Sequence, residues 1–408
     1  MSGVLPRETG RLPELILGIG LMYLAAFQIF KLPPVLPALL ETHQYDRTLA
    51  GSLMSVYAAA GLVLSVPLGK TLSRHGPLRL SLASLSIAAL GNVVGLIDPA
   101  SGAVMLAARG LEGVGFAGLA IVGPVLANRN AGAAALPIVI SLTAIWIPVG
   151  QLISGVITPF LLNPFGWSSL WWISLGATLL LGLATPILLG HFANGAQVSP
   201  ESSRPSVRSL GKSETRQLRA AAAVFTVFSI QYFAFMTWLP QYLVEALGYA
   251  MEESSFAYLV PILVVIPASL VTGGLLKRGF GPSKMLLAGM VMIALVWACV
   301  PVVASGGAGV LLMVFYGIGA GVSPTCLFAM PSSIVGARGP TAAAFGVVMT
   351  GRNLGVLIGP VLLAYVFTVT GGWCYIAPMF CVTTLVGCQV AITLMKDQRR
   401  LLHQNQAD

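Results

Sequence analysis

The sequence contains few charged residues. Only 9% of its 408 residues are Asp, Glu, Lys or Arg, and only 13 are acidic, so the chain lacks the charged surface of a water-soluble domain. Its hydrophobic share is 56%, and its mean hydropathy is +0.88. A membrane-spanning helix needs roughly 20 apolar residues, and about twelve such runs follow one another here. We therefore predict an all-α membrane protein with little chain left for a soluble catalytic domain.

Cysteine and histidine are also scarce, with five and four residues. No spacing among them matches a zinc site or a disulfide framework, so we expect neither a metal nor a cofactor. Gly113, Gly115 and Gly118 satisfy the G-x-G-x-x-G pattern of dinucleotide sites, but they lie inside an apolar run with no preceding strand. We interpret them as a helix-packing motif. The chain also lacks an ATP-binding motif, and we do not expect an enzyme or a primary pump.

The basic residues predict the orientation of the spans. Of the 22 Lys and Arg residues, Arg47 is the one in a loop predicted to face outward, and nearly all others flank the opposite side. This asymmetry predicts that both termini are cytoplasmic. It also accounts for the net charge of +9 without a nucleic-acid partner. The predicted spans are 15–40, 48–69, 78–97, 102–127, 134–161, 167–190, 219–247, 254–275, 284–303, 307–331, 341–368 and 373–395.

The chain reads as a repeat of two six-span units. A polar, serine-rich and basic stretch at 191–218 predicts a cytoplasmic linker between bundles at 1–190 and 219–408. The basic turn with Gly69, Arg74 and Gly76 recurs after span 8 with Arg278 and Gly281. Gly69 and Gly273 are 204 positions apart, as are Leu15 and Arg219, where the first span of each half begins.

These turns resemble a motif of the major facilitator superfamily of secondary transporters, G-x-x-x-D-R-x-G-R-K, although Ser73 replaces the acid. A second motif of that family, R-x-x-x-G-x-G, is matched by Arg109, Gly113 and Gly115. A third, in span 5, is loosely matched by Gly150, Gly155 and Pro159. The resemblance covers the whole chain and implies two six-helix bundles with a central site, and basic turns that act as conformational switches.

Four charged residues fall inside the predicted spans. Arg109 and Glu112 are three residues apart on span 4, so we expect them to pair. The pair is either structural or a coupling device in which Glu112 takes a proton when the pair opens. Lys31 and Arg352 would then remain as uncompensated cations, each costing about 2.5–3.5 kcal/mol near the membrane centre.

We expect Arg352 to bind the substrate. It lies near the middle of span 11, and matching spans 5 and 11 through Gly155 and Gly355 puts Leu152 at the equivalent position, so the repeat does not require this charge. Backbone carbonyls and water are the alternative partners. Lys31 is an auxiliary counter-charge or else extends toward the membrane surface. The Phe-Lys-Leu-Pro run at Lys31 is similar to the Leu-Arg-Pro-type motif of the cyanate and nitroimidazole transporter group, with Lys replacing Arg.

Other candidate binding residues have polar or aromatic side chains on spans 1, 7 and 11. Tyr23 and Phe27 share one face of span 1 with Lys31 and form a plausible cavity wall. The remaining candidates are Gln231, Tyr232, Trp238 and Asn353.

The sequence thus predicts a secondary active transporter for a small anionic solute, driven by a proton or by a counter-anion. The chain also resembles oxalate-type and other organic-anion carriers in architecture, because basic residues lie on helices expected to line the cavity. A proton-coupled exporter of drugs or metabolites is the first alternative, and a non-transporting receptor on the same fold is the second. We expect a monomer in a lipid bilayer and place it in a bacterial inner membrane.

Overall fold

The computed structural model describes residues 11–132, 135–190, 210–303, 306–336 and 341–407. Within these ranges the chain forms fourteen α-helices and one short 3-10 helix, Pro33–Val35, with no β-strand. The helices are α1 (Leu12–Phe30), α2 (Leu36–His43), α3 (Arg47–Ile97), α4 (Gly102–Asn130), α5 (Leu136–Ala144), α6 (Trp146–Phe165), α7 (Ser169–Leu189), α8 (Lys212–Leu247), α9 (Met251–Ala257), α10 (Leu259–Lys277), α11 (Pro282–Cys299), α12 (Gly306–Val335), α13 (Thr341–Thr370) and α14 (Ile376–Ala407).

Twelve helical segments are long and apolar enough to cross a membrane, as the hydropathy pattern predicted. The helix α3 supplies two of them, Arg47–Leu64 and Arg74–Ile97. It is broken at Gly76, whose φ of 77° lies in the left-handed region that favours glycine. The change of direction at this basic turn therefore depends on one glycine, and Gly279, with φ of 90°, lies in the corresponding turn after α10.

Three predicted spans are not continuous helices, and proline explains each break. Span 1 is divided by the 3-10 helix that Pro33 and Pro34 begin. The helix α5 ends at Ala144, four residues before Pro148, and α9 ends at Ala257, four residues before Pro261. Proline has no N–H group to donate to the carbonyl four residues earlier, and the proline ring collides with that carbonyl.

The described residues cluster into two compact units. The first comprises Met1–Tyr45 and Val56–Pro200, and the second comprises Asp46–Ser55 and Glu201–Asp408. The short segment at the start of α3 belongs to the second unit because Gly51 packs on the carbonyl of Pro360. The predicted domain boundaries stay a prediction, since most of the linker at 191–218 lies outside the described residues and α8 already begins at Lys212.

The same glycine contacts occur within each of the two units, at matching positions of the repeat. Gly113 lies against the backbone of Tyr57, and Gly317 lies against Pro261, which follows Tyr57 by the same 204 positions. Gly115 packs on Ser84 and Ala88 in the same way that Gly319 packs on Gly289 and Ile293. The G-x-G-x-x-G run in α4 is therefore a helix-packing motif, as predicted.

In the second unit, α13 packs on α8 through a glycine stripe. Gly351, Gly355 and Gly359 face Ala222, Thr226 and Ile230 in turn, one helical turn apart. A Cβ atom on Gly355 would lie 2.6 Å from the Cβ atom of Ser229 and closer still to the carbonyl oxygen of Thr226. Real Cβ atoms do not approach other atoms this closely, so the spacing of the two helices depends on this residue.

We predict that Gly355→Ala lowers stability by about 1–3 kcal/mol, because the added methyl group overpacks the contact between α8 and α13. Gly346→Ala, on the same helix, is the matched control, because a Cβ atom at this position would have no neighbour within 4 Å. Alanine's higher helix propensity should leave that variant unchanged or slightly more stable. Thermal unfolding in detergent measures both, and equal midpoints would contradict the packing role of Gly355.

Candidate functional site

The carboxylate of Glu112 is the centre of a buried charge cluster in the first unit. Glu112 and Arg109 lie one turn apart on α4, and Arg109 Nη1 is 2.7 Å from Glu112 Oε2. Both side chains are completely buried. The ion pair predicted from their spacing of three residues is confirmed.

Lys31 also belongs to this cluster. Its Nζ atom lies 2.8 Å from Glu112 Oε1 and 2.6 Å from Asn92 Oδ1, and it stands 4.4 Å from the ring centre of Trp171. The side chain is fully buried. The expectation that Lys31 is an uncompensated cation was wrong, because α1 packs closely on α4. Gly18 and Gly123 allow this approach, which brings Lys31 to a carboxylate 81 residues away.

Arg109 also caps the end of α1. Its Nη1 and Nη2 atoms donate to the carbonyls of Gln28 and Ile29, at 2.9 Å and 3.1 Å. The carbonyl of Ile29 would normally accept from the N–H group four residues later, but that residue is Pro33. The guanidinium therefore replaces a hydrogen bond that proline cannot supply.

Polar side chains from α1 and α3 complete the cluster. The Tyr57 hydroxyl lies 2.6 Å from Glu112 Oε2, and Asn92 Nδ2 donates to Gln28 Oε1 at 3.2 Å. Gln28 in turn donates to Thr178 on α7 at 3.1 Å. The role of Asn92 was missed from the sequence, although a lone asparagine in an apolar run is itself a signal of a polar partner.

The cavity wall predicted on span 1 is not open in this structure. Phe27 and Lys31 are both buried within the first unit. Tyr23 is half-buried and packs beside a small core of Leu15, Met22, Ala127 and Val139. Phe27 and Lys31 therefore belong to the packed interior, and a contact of Tyr23 with substrate stays a prediction.

Arg352 is a buried cation in the second unit. It is buried, with 8% of its surface exposed, and its Nη1 atom donates to Asn353 Oδ1 at 3.0 Å. Its Cζ atom lies 5.3 Å from the ring centre of Phe233. Among the described residues no acidic side chain forms an ion pair with it. This matches the expectation of an uncompensated cation on span 11.

The repeat assigns Arg352 a different counterpart from the one predicted. Gly150 packs on Ala26 of α1, and Gly359 packs on Ile230 of α8, the residue 204 positions after Ala26. Aligning these two contacts makes Thr143, rather than Leu152, the position in the first unit that is equivalent to Arg352. Since neither residue is charged, the fold does not require a cation at this position.

The candidate binding residues on α8 form hydrogen bonds and ring contacts within the second unit. Gln231 Oε1 accepts hydrogen bonds from Trp297 Nε1 at 2.9 Å and from Tyr316 at 3.2 Å. Trp238 Nε1 donates to the carbonyl of Pro360 at 3.0 Å. Tyr232 stacks on Phe228, with ring centres 5.5 Å apart. The structure thus gives Gln231 and Trp238 partners within the second unit, and their binding roles stay predictions.

An aromatic cavity of about 340 Å³ lies beside Gln231 in the second unit. Its wall includes Trp238, Trp297 and Tyr316, whose polar atoms are the donors just described. Since these groups are already hydrogen-bonded, the wall offers mainly ring surfaces. In the basic turns, Arg74 and Arg278 are exposed, and their role as switches stays a prediction.

Twelve apolar helices with charges buried inside each unit define an integral, multi-pass membrane protein. The chain matches the family model of the Major Facilitator Superfamily over residues 16–360, and it belongs to that superfamily of secondary transporters. This confirms the class and the fold predicted from the sequence, and it points to a transporter rather than an enzyme.

Solved structures agree on the fold. A crystal structure of a mutant of the nucleoside transporter NupG is similar, with a TM-score of 0.72 and 15% sequence identity. The match covers 93% of this chain and 99% of that one. At this identity the likeness shows a shared fold and no more. No curated protein matches the chain.

We predict that Glu112→Gln lowers stability by about 3–5 kcal/mol, because it removes the buried carboxylate that Lys31 and Arg109 share. Glu245→Gln is the control: Glu245 pairs with Arg47 at 2.6 Å, but both side chains are about a quarter exposed. Its loss should cost no more than about 1 kcal/mol. Thermal unfolding in detergent compares them, and equal losses would argue against the central role of Glu112.

Proposed function

We propose that this secondary transporter moves a small anionic solute and that Arg352 is its main counter-charge. The observation that carries the proposal is the buried guanidinium of Arg352 with no acidic partner among the described residues. A guanidinium has five N–H donors, and Asn353 occupies one of them. An anion would neutralise the charge and fill the remaining donors, and planar oxyanions such as carboxylates fit this fork well.

Neighbouring residues support the same site. Phe233 lies beside the guanidinium, and Tyr232 is buried next to it in the sequence of α8. Ring surfaces near a charged group exclude water, which strengthens attraction between a guanidinium and an anion. We include Asn353 and Tyr232 in the proposed site. Gln231, Trp238 and Tyr23 remain candidates for contact with the rest of the solute.

The buried cluster of the first unit is the proposed coupling site. The net charge of Lys31, Arg109 and Glu112 changes by one when the cluster gains or loses a proton. The cluster can therefore link protonation to conformation. Transport then proceeds as proton symport, with exchange of one anion for another as the alternative mode. We also propose that the chain acts as a monomer in a bacterial inner membrane, with both termini cytoplasmic and with the turns at Arg74 and Arg278 as switches.

The alternative of a proton-coupled exporter of cationic drugs has less support. Such a substrate needs a free acidic group, whereas both oxygens of Glu112 are engaged by Lys31, Arg109 and Tyr57. The likeness to NupG raises a further possibility, since that protein transports nucleosides. Nucleosides carry no net charge and would not need an unpaired cation, so Arg352 separates these substrates experimentally.

We predict that Arg352→Gln reduces uptake of small carboxylates into proteoliposomes at least tenfold, because the site loses its counter-charge. Losing one charge-assisted contact of about 1.5–3 kcal/mol corresponds to roughly a tenfold to hundredfold weaker affinity. Arg352→Lys should retain part of the uptake. Arg219→Gln is the control, since Arg219 is exposed on the same unit.

The panel should contain carboxylates, inorganic anions, nucleosides and cationic dyes, each with and without a pH gradient. Carboxylate or inorganic anion uptake that depends on Arg352 supports the proposal. Nucleoside or dye uptake that is indifferent to Arg352→Gln would replace it with the corresponding alternative.

A further inference from the structure

The cluster around Glu112 contains an uneven number of charges. Lys31 and Arg109 are cations, Glu112 is the one carboxylate among the described residues that forms ion pairs with them, and all three side chains have no exposed surface. The cluster therefore buries one net positive charge when every group is in its usual ionised form. Burying an uncompensated charge is costly, and a titratable group in such a place tends to give up its charge.

We infer that the coupling proton is carried by the ammonium group of Lys31, while Glu112 remains ionised throughout. The inference rests on the proton-coupled mode of the proposed function and identifies the residue that performs it. In the step itself, the N–H bond of the Lys31 ammonium breaks and its proton passes to water, which leaves a neutral amine and a hydronium ion. Because Lys31 is fully buried here, this exchange requires a conformation in which water reaches the cluster.

The charge balance favours Lys31 over its neighbours. Protonating Glu112 would raise the buried net charge from one to two. Arg109 does not lose its proton in proteins. Deprotonating Tyr57 would place a second anion 2.6 Å from Glu112 Oε2. The other contacts of Lys31, from Asn92 on α3 and Trp171 on α7, do not titrate. Loss of the Lys31 proton brings the cluster to zero net charge without placing a second anion beside Glu112.

The hydrogen bonds lead to the same residue. A neutral amine has two N–H groups, and Lys31 Nζ has two acceptors within hydrogen-bond distance, Glu112 Oε1 and Asn92 Oδ1. Both bonds therefore survive when the third proton, beside the face of Trp171, is lost. A protonated Glu112 would instead carry an O–H donor on a carboxyl group that already accepts from two cations, Lys31 and Arg109.

The second unit shows that this fold does not need charges at these positions. Phe235 follows Lys31 by 204 positions, and Tyr316 follows Glu112 by the same number. Trp297 follows Asn92 by 205, the offset of the glycine contacts on α11. These three rings contact one another, with centres 4.5–5.5 Å apart. Aromatic packing fills the place that the first unit gives to Lys31, Asn92 and Glu112, so the charges of Lys31 and Glu112 serve something other than packing.

The test uses Trp171 as a reporter of the charge on Lys31. Protein labelled with 5-fluorotryptophan gives a fluorine NMR signal for each of its seven tryptophans, and the signal missing in Trp171→Phe identifies Trp171. We expect this signal to shift as the pH is varied over about 5 to 8, the window in which a physiological coupling group changes charge. The shift should disappear in Lys31→Met, which is uncharged, and in Lys31→Arg, which stays charged.

Three results would overturn the inference. A Trp171 shift that persists in monodisperse Lys31→Met and Lys31→Arg would place the proton on another group, and a wild-type signal that does not move would show that Lys31 does not titrate. Uptake driven by a pH gradient should also be lost in Lys31→Met while anion exchange continues, and retained gradient coupling counts equally against Lys31. Failure of the proposed anion function appears separately, as uptake that does not respond to Arg352→Gln.

Discussion

The carboxylate of Glu112 organises the interior of the first unit. It accepts hydrogen bonds from Lys31 on α1, Tyr57 on α3 and Arg109 on its own helix, and Asn92 joins through Lys31. In a membrane interior, charged groups without such partners are costly, and water is not available to replace them. The end of α1, the position of its proline break and the close packing of α1 on α4 are therefore parts of one arrangement. Removing the carboxylate would leave Lys31, Tyr57 and Arg109 without their shared acceptor.

Small residues make this arrangement possible. Lipid tails are as apolar as leucine, so helices gain little by burying hydrophobic surface and associate through close packing. Gly18 and Gly123 bring α1 and α4 together, and Gly351 and Gly355 do the same for α13 and α8. The repeated glycine contacts at matching positions give both units the same packing scheme. The chemistry placed on this common scaffold is what distinguishes them.

The sequence predicted those features that depend on local pattern. Twelve spans follow from apolar length, the packing role of Gly113 and Gly115 from their place in an apolar run, and the pair of Arg109 with Glu112 from a spacing of three residues. The partner of Lys31 was not predictable in this way, because it depends on how two distant helices are rotated toward each other. The same holds for Arg109: Pro33 leaves a carbonyl without its N–H partner, but the sequence does not show that Arg109, on another helix, would bond that carbonyl.

The contrast between the units separates substrate binding from proton binding in the proposed mechanism. Arg352 keeps its charge at every physiological pH, so an anion finds the same counter-charge whether or not a proton is bound. The aromatic contacts of Phe235, Trp297 and Tyr316 involve no group that ionises near neutral pH, which makes the core of the second unit insensitive to protons. Sensitivity to protons is thereby confined to the first unit, where Lys31 changes the net charge of a buried cluster. One half of the repeat can then respond to the gradient while the other holds the solute.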